Sequence, residues 1–134
     1  MDHRAHRDHR DGLHADLSEQ VIGAALIVHQ ALGPGLLETT YQACLAHELS
    51  DLGLKCEVEK QLPLRYKNIV LDCGYRVDLI VNDVLIVELK SVQVLLPLHE
   101  AQLLTYLKLS GLRVGLLLNF NVALLKQGIK RIVL

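Results

Sequence analysis

The spacing of apolar residues predicts two helices in the first third of the chain. A helix is predicted over residues 16–32, with Asp16 as its N-terminal cap and Glu19 reaching back to that cap. This segment is apolar over most of its circumference, so we expect it to be largely buried. The triplet GPG at 33–35 ends it, and a second helix is predicted over residues 36–49.

Alternation of apolar and polar residues predicts extended structure in the middle of the chain. Residues 54–66 alternate like a half-exposed strand, and Pro63 favours a place at the edge of a sheet. Two further strands are predicted over residues 69–81 and 85–92, both rich in Val, Leu and Ile. The second and third strands are predicted to form a hairpin across the turn at Asn82 and Asp83.

The last third of the chain predicts one helix and one or two strands. The helix is expected over residues 98–110 and is closed by Gly111. A buried strand follows over 112–120, and residues 128–134 fit a short edge strand. The order is α-α-β-β-β-α-β, with an optional last strand. Because the inner strands lack clean alternation, we predict an α/β fold whose central mixed β-sheet is flanked by helices.

Composition indicates one globular domain. The chain has 134 residues, of which 51% are hydrophobic, and this suits a single domain with a modest aliphatic core. The net charge of −1 argues against a large basic nucleic-acid footprint. It leaves open a small acidic site that meets phosphate through a bound cation.

Three features bear on where the chain acts. No apolar run reaches the length of a membrane span without an interruption, and the charged N-terminus does not resemble a signal peptide. The three cysteines match no metal or disulfide pattern, which favours reduced thiols. We therefore expect a cytoplasmic protein without membrane contact.

The first fifteen residues differ in composition from the rest of the chain. Histidines occur at positions 3, 6, 9 and 14 among Asp and Arg residues. A metal-binding tract is one interpretation, and a mobile mixed-charge tail is the one we favour. We treat residues 1–15 as a flexible His-rich tail and residues 16–134 as a single domain.

Three charged residues interrupt the aliphatic strands of the segment YRVDLIVNDVLIVELKSV. They are Asp78, Glu88 and Lys90, and an unpaired charge in such a place costs several kcal/mol. A two-residue turn between the strands would send Glu88 to the face opposite Asp78. A three-residue turn over 82–84 would pair Val81 with Leu85 and set Asp78 opposite Glu88. We predict the three-residue turn, because a divalent cation would then resolve the repulsion between the two carboxylates.

The chemistry of this predicted cluster is that of a hard-cation site. Two carboxylates, a backbone carbonyl and waters suit magnesium or manganese. Lys90 lies on the same strand face as Glu88, where it can hold an attacking water or meet a phosphate oxygen. Together these groups indicate metal-assisted hydrolysis of a phosphodiester. The alternative is an ion pair in which one acid neutralises Lys90.

Polar residues on the predicted helices extend the candidate site. His99, Gln102 and Tyr106 form one stripe on a leucine-rich helix, which is either an inward catalytic stripe or a solvent-facing one. Glu38 stands near a helix start, where the helix dipole alone favours an acid, but it could also point into the charged pocket.

Other polar residues have a simpler interpretation. We interpret His29 and His47 as structural. The basic residues Lys126, Lys130 and Arg131 could touch phosphate, although a solvated surface is the simpler interpretation.

The sequence resembles a known family over nearly all of its length from about residue 17. Residues 35–41, GLLETTY, match the G-x-x-E-x-x-Y signature of the GxxExxY protein family. The segments VDLIV…VELKSV, HEAQLLTYLKLSGLRVGLLLNFN and GIKRIV resemble that family in order and spacing. The family is assigned to the PD-(D/E)XK nuclease-like superfamily. The resemblance implies a restriction-endonuclease-like core and a magnesium-dependent nuclease site.

The resemblance also implies roles for individual residues. Asp78 corresponds to the first motif acid, and Glu88 and Lys90 correspond to the E-x-K pair. Glu38 corresponds to the acid on the first helical segment. Gln102 and Tyr106 correspond to the first and last residues of Q-x-x-x-Y. The proline that usually precedes the first acid is replaced here by valine at position 77.

These assignments lead to a first hypothesis, a nuclease that uses magnesium or manganese and cuts DNA in preference to RNA. Asp78, Glu88 and the carbonyl of Leu89 would hold the metal, and Lys90 would position water. Glu38 would bind the metal or its water, and Gln102 would orient the lysine. We also assign three residues to substrate contact: Tyr106, His99 and Tyr41.

A second hypothesis is a non-catalytic module that binds nucleic acid or protein on the same scaffold. The near-neutral charge and the small size favour it. A homodimer that completes the binding surface is a further candidate.

Overall fold

The computed structural model describes residues 12–134. The prediction of a His-rich tail therefore falls mostly outside the described residues. Two helices open the fold, α1 (Ala15–Leu32) and α2 (Glu38–Asp51), as the apolar spacing predicted.

The predicted cap of the first helix is wrong. The N-cap of α1 is His14, which has left-handed backbone angles (φ 53°, ψ 33°), and its side chain makes no capping bond. The His14 carbonyl instead accepts hydrogen bonds from the backbone N–H and the hydroxyl of Ser18, at 2.9 and 3.0 Å. Asp16 lies inside the first turn, where an acid is still favoured by the helix dipole.

Five strands form one mixed sheet in the order β1-β2-β3-β4-β5. They are β1 (Cys56–Tyr66), β2 (Ile69–Val81), β3 (Leu85–Lys90), β4 (Val114–Asn119) and β5 (Ile129–Val133). Strands β3 and β4 are parallel, and all other neighbours are antiparallel. A parallel pair needs a long crossover, which is supplied by α3 (Pro97–Ser110). β1 and β5 are the edge strands, as Pro63 and the chain end predicted.

Helices cover both faces of the sheet. On one face, α1 and α2 pack through residues such as Val21, Ala25 and Leu45. On the other face, α3 packs Leu103 and Leu107 onto the sheet. All six residues of β4 are buried, because this central strand is covered from both sides. The predicted α/β class and the order α-α-β-β-β-α-β-β are confirmed.

The turn between β2 and β3 has the predicted three residues. Val81 pairs with Leu85, and the register continues to the pair Leu79 and Val87. Asn82 and Asp83 adopt left-handed angles with φ of 51° and 60°, which Asn and Asp tolerate better than other side-chain-bearing residues. The hairpin register that the candidate site requires is therefore present.

A buried tyrosine fixes the connection between α1 and α2. The Tyr41 hydroxyl donates to the carbonyl of Gly33 at 2.5 Å and accepts from the N–H of Leu36 at 3.1 Å. Its ring stacks on Phe120, with 4.4 Å between ring centroids. Tyr41 has 0% exposure, so the predicted substrate contact is wrong: it holds the loop that leads into Glu38 and is shielded from any ligand.

Among the described residues, no helix combines the length and the apolar composition needed to cross a membrane.

The role of Tyr41 gives a first prediction. Tyr41→Phe should lower the free energy of unfolding by about 1–2 kcal/mol, because Gly33 and Leu36 each lose a hydrogen-bond partner. Urea unfolding of the purified protein measures this. The matched control is Tyr66→Phe at a side chain that is 57% exposed, which should change stability by less than about 0.5 kcal/mol. Equal effects of the two substitutions would contradict the clamp role.

Candidate active site

Two carboxylates meet where strands β2 and β3 separate. Beyond the pair of Leu79 and Val87, the backbone ladder is replaced by side-chain bonds. The N–H of Asp78 donates to Oε1 of Glu88 at 2.7 Å, and the N–H of Leu89 donates to Oδ2 of Asp78 at 2.8 Å. Each acid thus satisfies a backbone donor on the opposite strand, and the two side chains are fixed side by side.

Lys90 lies on the same face of the sheet as Glu88. Ile86 packs against α3, and strand alternation places Glu88 and Lys90 on that same face. The Lys90 ammonium donates to Oε1 of Gln102 on α3 at 3.3 Å. The structure therefore brings Lys90 and Gln102 together, in the arrangement that the sequence suggested.

The ion-pair alternative is not what the side chains form. Among residues 12–134, no salt bridge joins Lys90 to Asp78 or Glu88, so the lysine nitrogen lies more than 4 Å from the carboxylate oxygens. Lys90 still lowers the pKa of both acids through its charge, but this effect is smaller than that of their burial.

The pKa values of the two acids are raised in this environment. Burial and then the negative charge of Asp78 raise the pKa of Glu88 to about 8. Burial also raises the pKa of Asp78, although the Leu89 N–H and the Lys90 charge oppose the change. Burial, Glu88 and Asp78 together raise the pKa of the neighbouring Tyr106 phenol. An additional positive charge at this position would relieve all three shifts.

The donor atoms fit a hard divalent cation. Within the described chain, neither Oδ1 of Asp78 nor Oε2 of Glu88 accepts a hydrogen bond, and neither is a buried unsatisfied atom, so both face space that water can enter. The N–H of Leu89 points toward β2, and in an extended strand the carbonyl of the same residue leaves on the same side. Carboxylate and carbonyl oxygens are the donor types that suit Mg²⁺ or Mn²⁺.

Glu38, at the start of α2, lies near this region. Its Oε1 accepts the N–H of Ser91 at 3.3 Å, and its charge contributes to the raised pKa of both Asp78 and Glu88. Within residues 12–134, no three His, Cys, Asp or Glu side chains are close enough to ligate one ion. Glu38 therefore stands near the pair without completing a three-acid ligand set.

Ser91 and Asn119 hold the chain that follows Lys90, and neither was identified from the sequence. The Ser91 hydroxyl donates to the Leu36 carbonyl at 2.7 Å, which ties the end of β3 to the loop before Glu38. Asn119 is buried. Its Oδ1 accepts the Val92 N–H at 3.1 Å, and its Nδ2 donates to the Val92 carbonyl at 2.8 Å. Asn119 could have been noticed, because it is a lone polar residue at the end of the apolar run VGLLLN.

The stripe on α3 lines a cavity together with Lys90. This cavity has a volume of about 460 Å³, and its wall includes Tyr75, Lys90, Leu98, His99, Gln102 and Tyr106. The stripe therefore lines an open groove beside Lys90, in which Gln102 is exposed to solvent. Nδ1 of His99 accepts the Leu96 N–H at 2.9 Å, so one ring nitrogen is engaged in the start of α3. Tyr75 on β2 is a lining residue that the sequence did not single out.

The remaining polar residues behave as structural groups. Nε2 of His29 lies 2.8 Å from the Val122 carbonyl, and His47 is exposed on α2 at 3.3 Å from Asp51. In the C-terminal basic cluster, Lys130 pairs with Glu100 at 3.4 Å, and Arg131 donates to the Leu13 carbonyl.

Comparison with known protein families agrees with this geometry. A family model described as PD-(D/E)XK nuclease superfamily matches residues 15–132, which includes every residue of the cluster. Comparison with curated proteins and with solved structures gives no match. The five-stranded mixed sheet with helices on both faces is consistent with a restriction-endonuclease-like fold. With an acid in the part of β2 that precedes the turn, an E-x-K pair on β3 and a family match over most of its length, the chain belongs to the PD-(D/E)XK nuclease superfamily.

Proposed function

We propose that this protein is a metal-dependent nuclease that hydrolyses phosphodiester bonds of nucleic acid. The observation that carries the proposal is the pair of Asp78 and Glu88, fixed side by side with raised pKa values next to an unpaired Lys90. Membership of the superfamily supports the same reaction class. The restriction-endonuclease-like fold favours DNA over RNA as the substrate.

The metal site in this proposal uses three oxygen donors. Asp78, Glu88 and the carbonyl of Leu89 would hold Mg²⁺ or Mn²⁺, and waters would complete the coordination. When bound, the ion supplies charge neutralisation and Lewis acidity at the scissile phosphate. Glu38 accepts the Ser91 N–H and completes no three-acid ligand set, so we assign it to orienting a water at the edge of the site, not to direct ligation.

Lys90 provides the positive charge of the site. Its ammonium is held at 3.3 Å from Gln102, and this contact leaves other donor positions free for water or a phosphate oxygen. Gln102 therefore acts as a positioning residue, because it acts through the lysine. Tyr106 and His99 form the wall of the adjoining cavity, where they would contact the substrate.

A binding module without catalysis is the second candidate. It is favoured by the net charge of −1 and by exposed leucines beside the cleft, since Leu37 and Leu98 are 74% and 75% exposed. Such side chains suit a protein partner better than a phosphate backbone. The suggestion that a second copy completes the surface stays a prediction.

Loss of the lysine tests catalysis. Lys90→Ala should reduce Mg²⁺-dependent cleavage of a labelled plasmid or oligonucleotide by about 100-fold or more, because the water or phosphate loses its cationic partner. Circular dichroism should show an unchanged fold. The control is Lys108→Ala, an exposed lysine on α3, which should cut at the wild-type rate. Activity in Lys90→Ala equal to that of the control would argue against the proposed role.

Metal binding discriminates the nuclease from the binding module. Calorimetric titration of the wild type with Mn²⁺ should show millimolar or tighter binding, and Asp78→Asn should abolish it because one of the carboxylate donors is removed. Asp83→Asn, in the exposed turn of the same hairpin, should bind as the wild type does. If the wild type binds no divalent ion, the binding module is the better description.

The buried acid pair also predicts a pH dependence of stability. The pKa of Glu88 is near 8 in the folded protein, above its ordinary value of 4.5, so the folded state holds the proton more tightly than the unfolded chain. This stabilising contribution is complete below pH 4.5 and is lost as pH rises through 8. In a chelator, the free energy of unfolding should therefore fall between pH 5 and pH 8.5, and saturating Mg²⁺ should restore it.

Two variants separate this effect from general alkaline destabilisation. Glu88→Gln should flatten the pH profile in chelator, because the titrating group is absent. Glu19→Gln makes the same change at an exposed position on α1 and should keep the wild-type profile. A profile that is equally steep in Glu88→Gln would assign the pH dependence to other groups.

A further inference from the structure

The hairpin of β1 and β2 extends well past the rest of the sheet. β2 has thirteen residues, but it pairs with β3 only over Leu79–Val81. Twelve consecutive residues, 65–76, are all exposed. We call these residues the arm. An isolated two-stranded hairpin is marginally stable in water, so an arm of this length is expected to act by contacting a partner.

The shape of the arm matches a groove of duplex nucleic acid. A two-stranded ribbon is narrow enough to enter the major groove. From Ile69 at the tip to Asp78 at the cluster there are nine residue steps, or at most about 30 Å, and the register shift between Leu62 and Leu64 makes the ribbon shorter than a fully extended strand. The arm could therefore lie along the duplex while the acid pair reaches a backbone phosphate.

The charge of the arm differs in sign from that of the remaining chain. The arm carries three cations, Arg65, Lys67 and Arg76, and one anion, Asp72, whereas the other positions carry eleven Lys or Arg and fourteen Asp or Glu. Within residues 12–134, neither Arg65 nor Lys67 forms a salt bridge, while Arg76 lies 3.7 Å from Glu59. Two cations at the tip are thus available for phosphate.

The side chains of the tip combine charge with aromatic and apolar surface. Tyr66 pairs with Ile69, and Arg65 pairs with Val70, so the two pairs lie on opposite faces of the ribbon. Tyr66 is 57% exposed, and the Lys67 ammonium lies 5.5 Å from the centre of its ring. Apolar side chains in the major groove can contact thymine methyl groups, and cations beside them can meet phosphates.

The arm is continuous with the candidate active site. The same strand that forms one side of the arm leads to Asp78 only two residues after Arg76. Tyr75, which is 40% exposed, belongs to the arm and also lines the cavity of Lys90 and Gln102. A duplex that contacts the arm would therefore pass the acid pair.

We propose that the arm is the duplex-binding element of this protein. It lies along a groove, with Arg65 and Lys67 on phosphates several base pairs from the acid pair. This inference rests on the proposed function, because it takes Asp78 and Glu88 as the point of cleavage. Most of the electrostatic affinity then comes from the arm, which explains how a chain of net charge −1 binds nucleic acid.

Binding without metal tests this inference independently of cleavage. Fluorescence anisotropy is measured with a labelled duplex of about 30 base pairs, in chelator, over a series of salt concentrations. In the double variant Arg65→Ala/Lys67→Ala, Kd should rise about tenfold or more, and the slope of log K against log salt should shrink by about two. Arg65→Gln/Lys67→Gln repeats the test with longer polar side chains, in case the alanines disturb the hairpin.

Matched controls and alternative outcomes make the result decisive. Lys55→Ala/Lys108→Ala removes the same charge from exposed positions outside the arm and should leave Kd and the salt slope unchanged. If the control variant loses as much affinity as the arm variant, the proposal that the arm binds a duplex groove is wrong. It is also wrong if a single strand of equal length binds more tightly than the duplex. If the wild type binds no duplex and instead forms a dimer that Leu71→Asp dissociates, the arm is a protein contact.

Cleavage assays separate this inference from the proposed function. Arm-dependent duplex binding without cleavage of any substrate would support the arm and overturn the nuclease. Metal-dependent cleavage with wild-type affinity in both arm variants would support the nuclease and overturn the arm.

Discussion

The site depends on an exchange of hydrogen bonds at the point where β2 and β3 part. Glu88 accepts the N–H of Asp78, and Asp78 accepts the N–H of Leu89, so two like charges are kept adjacent by the backbone donors they satisfy. Burial raises the pKa of both acids, and the negative charge of Asp78 raises the pKa of Glu88 further. A fold that keeps such a pair in place is prepared for a cation before the cation arrives.

The surrounding structure fixes the segments next to this pair. Tyr41 and Ser91 tie the loop before Glu38 to the core and to the end of β3. Asn119 fixes the segment after Lys90 from the neighbouring strand. The α3 crossover then supplies Gln102 to the lysine. Every one of these contacts joins two different elements, so the site is assembled by tertiary structure.

The pair of Asp78 and Glu88 could be predicted from the sequence, because charged residues within apolar strands are visible in a short segment. Features that depend on residues distant in the chain could not be predicted. The turn over 82–84 could be predicted since only that register puts Asp78 and Glu88 on one face. The start of α1 could not be predicted, because it depends on Arg131, which is distant in the chain. Arg131 donates hydrogen bonds to the Leu13 carbonyl and to the Ser18 hydroxyl. Helical spacing placed Tyr41 beside Glu38, but its burial depends on Phe120.

The site residues come from two separate parts of the chain, and this affects how the site responds to local unfolding. Asp78, Glu88, Lys90 and Gln102 lie within one stretch of 25 residues, formed by a hairpin and its following crossover helix. Glu38 comes from a separate element and is joined to that stretch through Ser91. Fraying at the first turn of α2 would therefore withdraw Glu38 while the other four groups stay in place. Backbone amides at the start of α2 would therefore exchange with solvent faster than those of the hairpin. Glu38 would leave and rejoin the site on a faster timescale than Asp78 and Glu88.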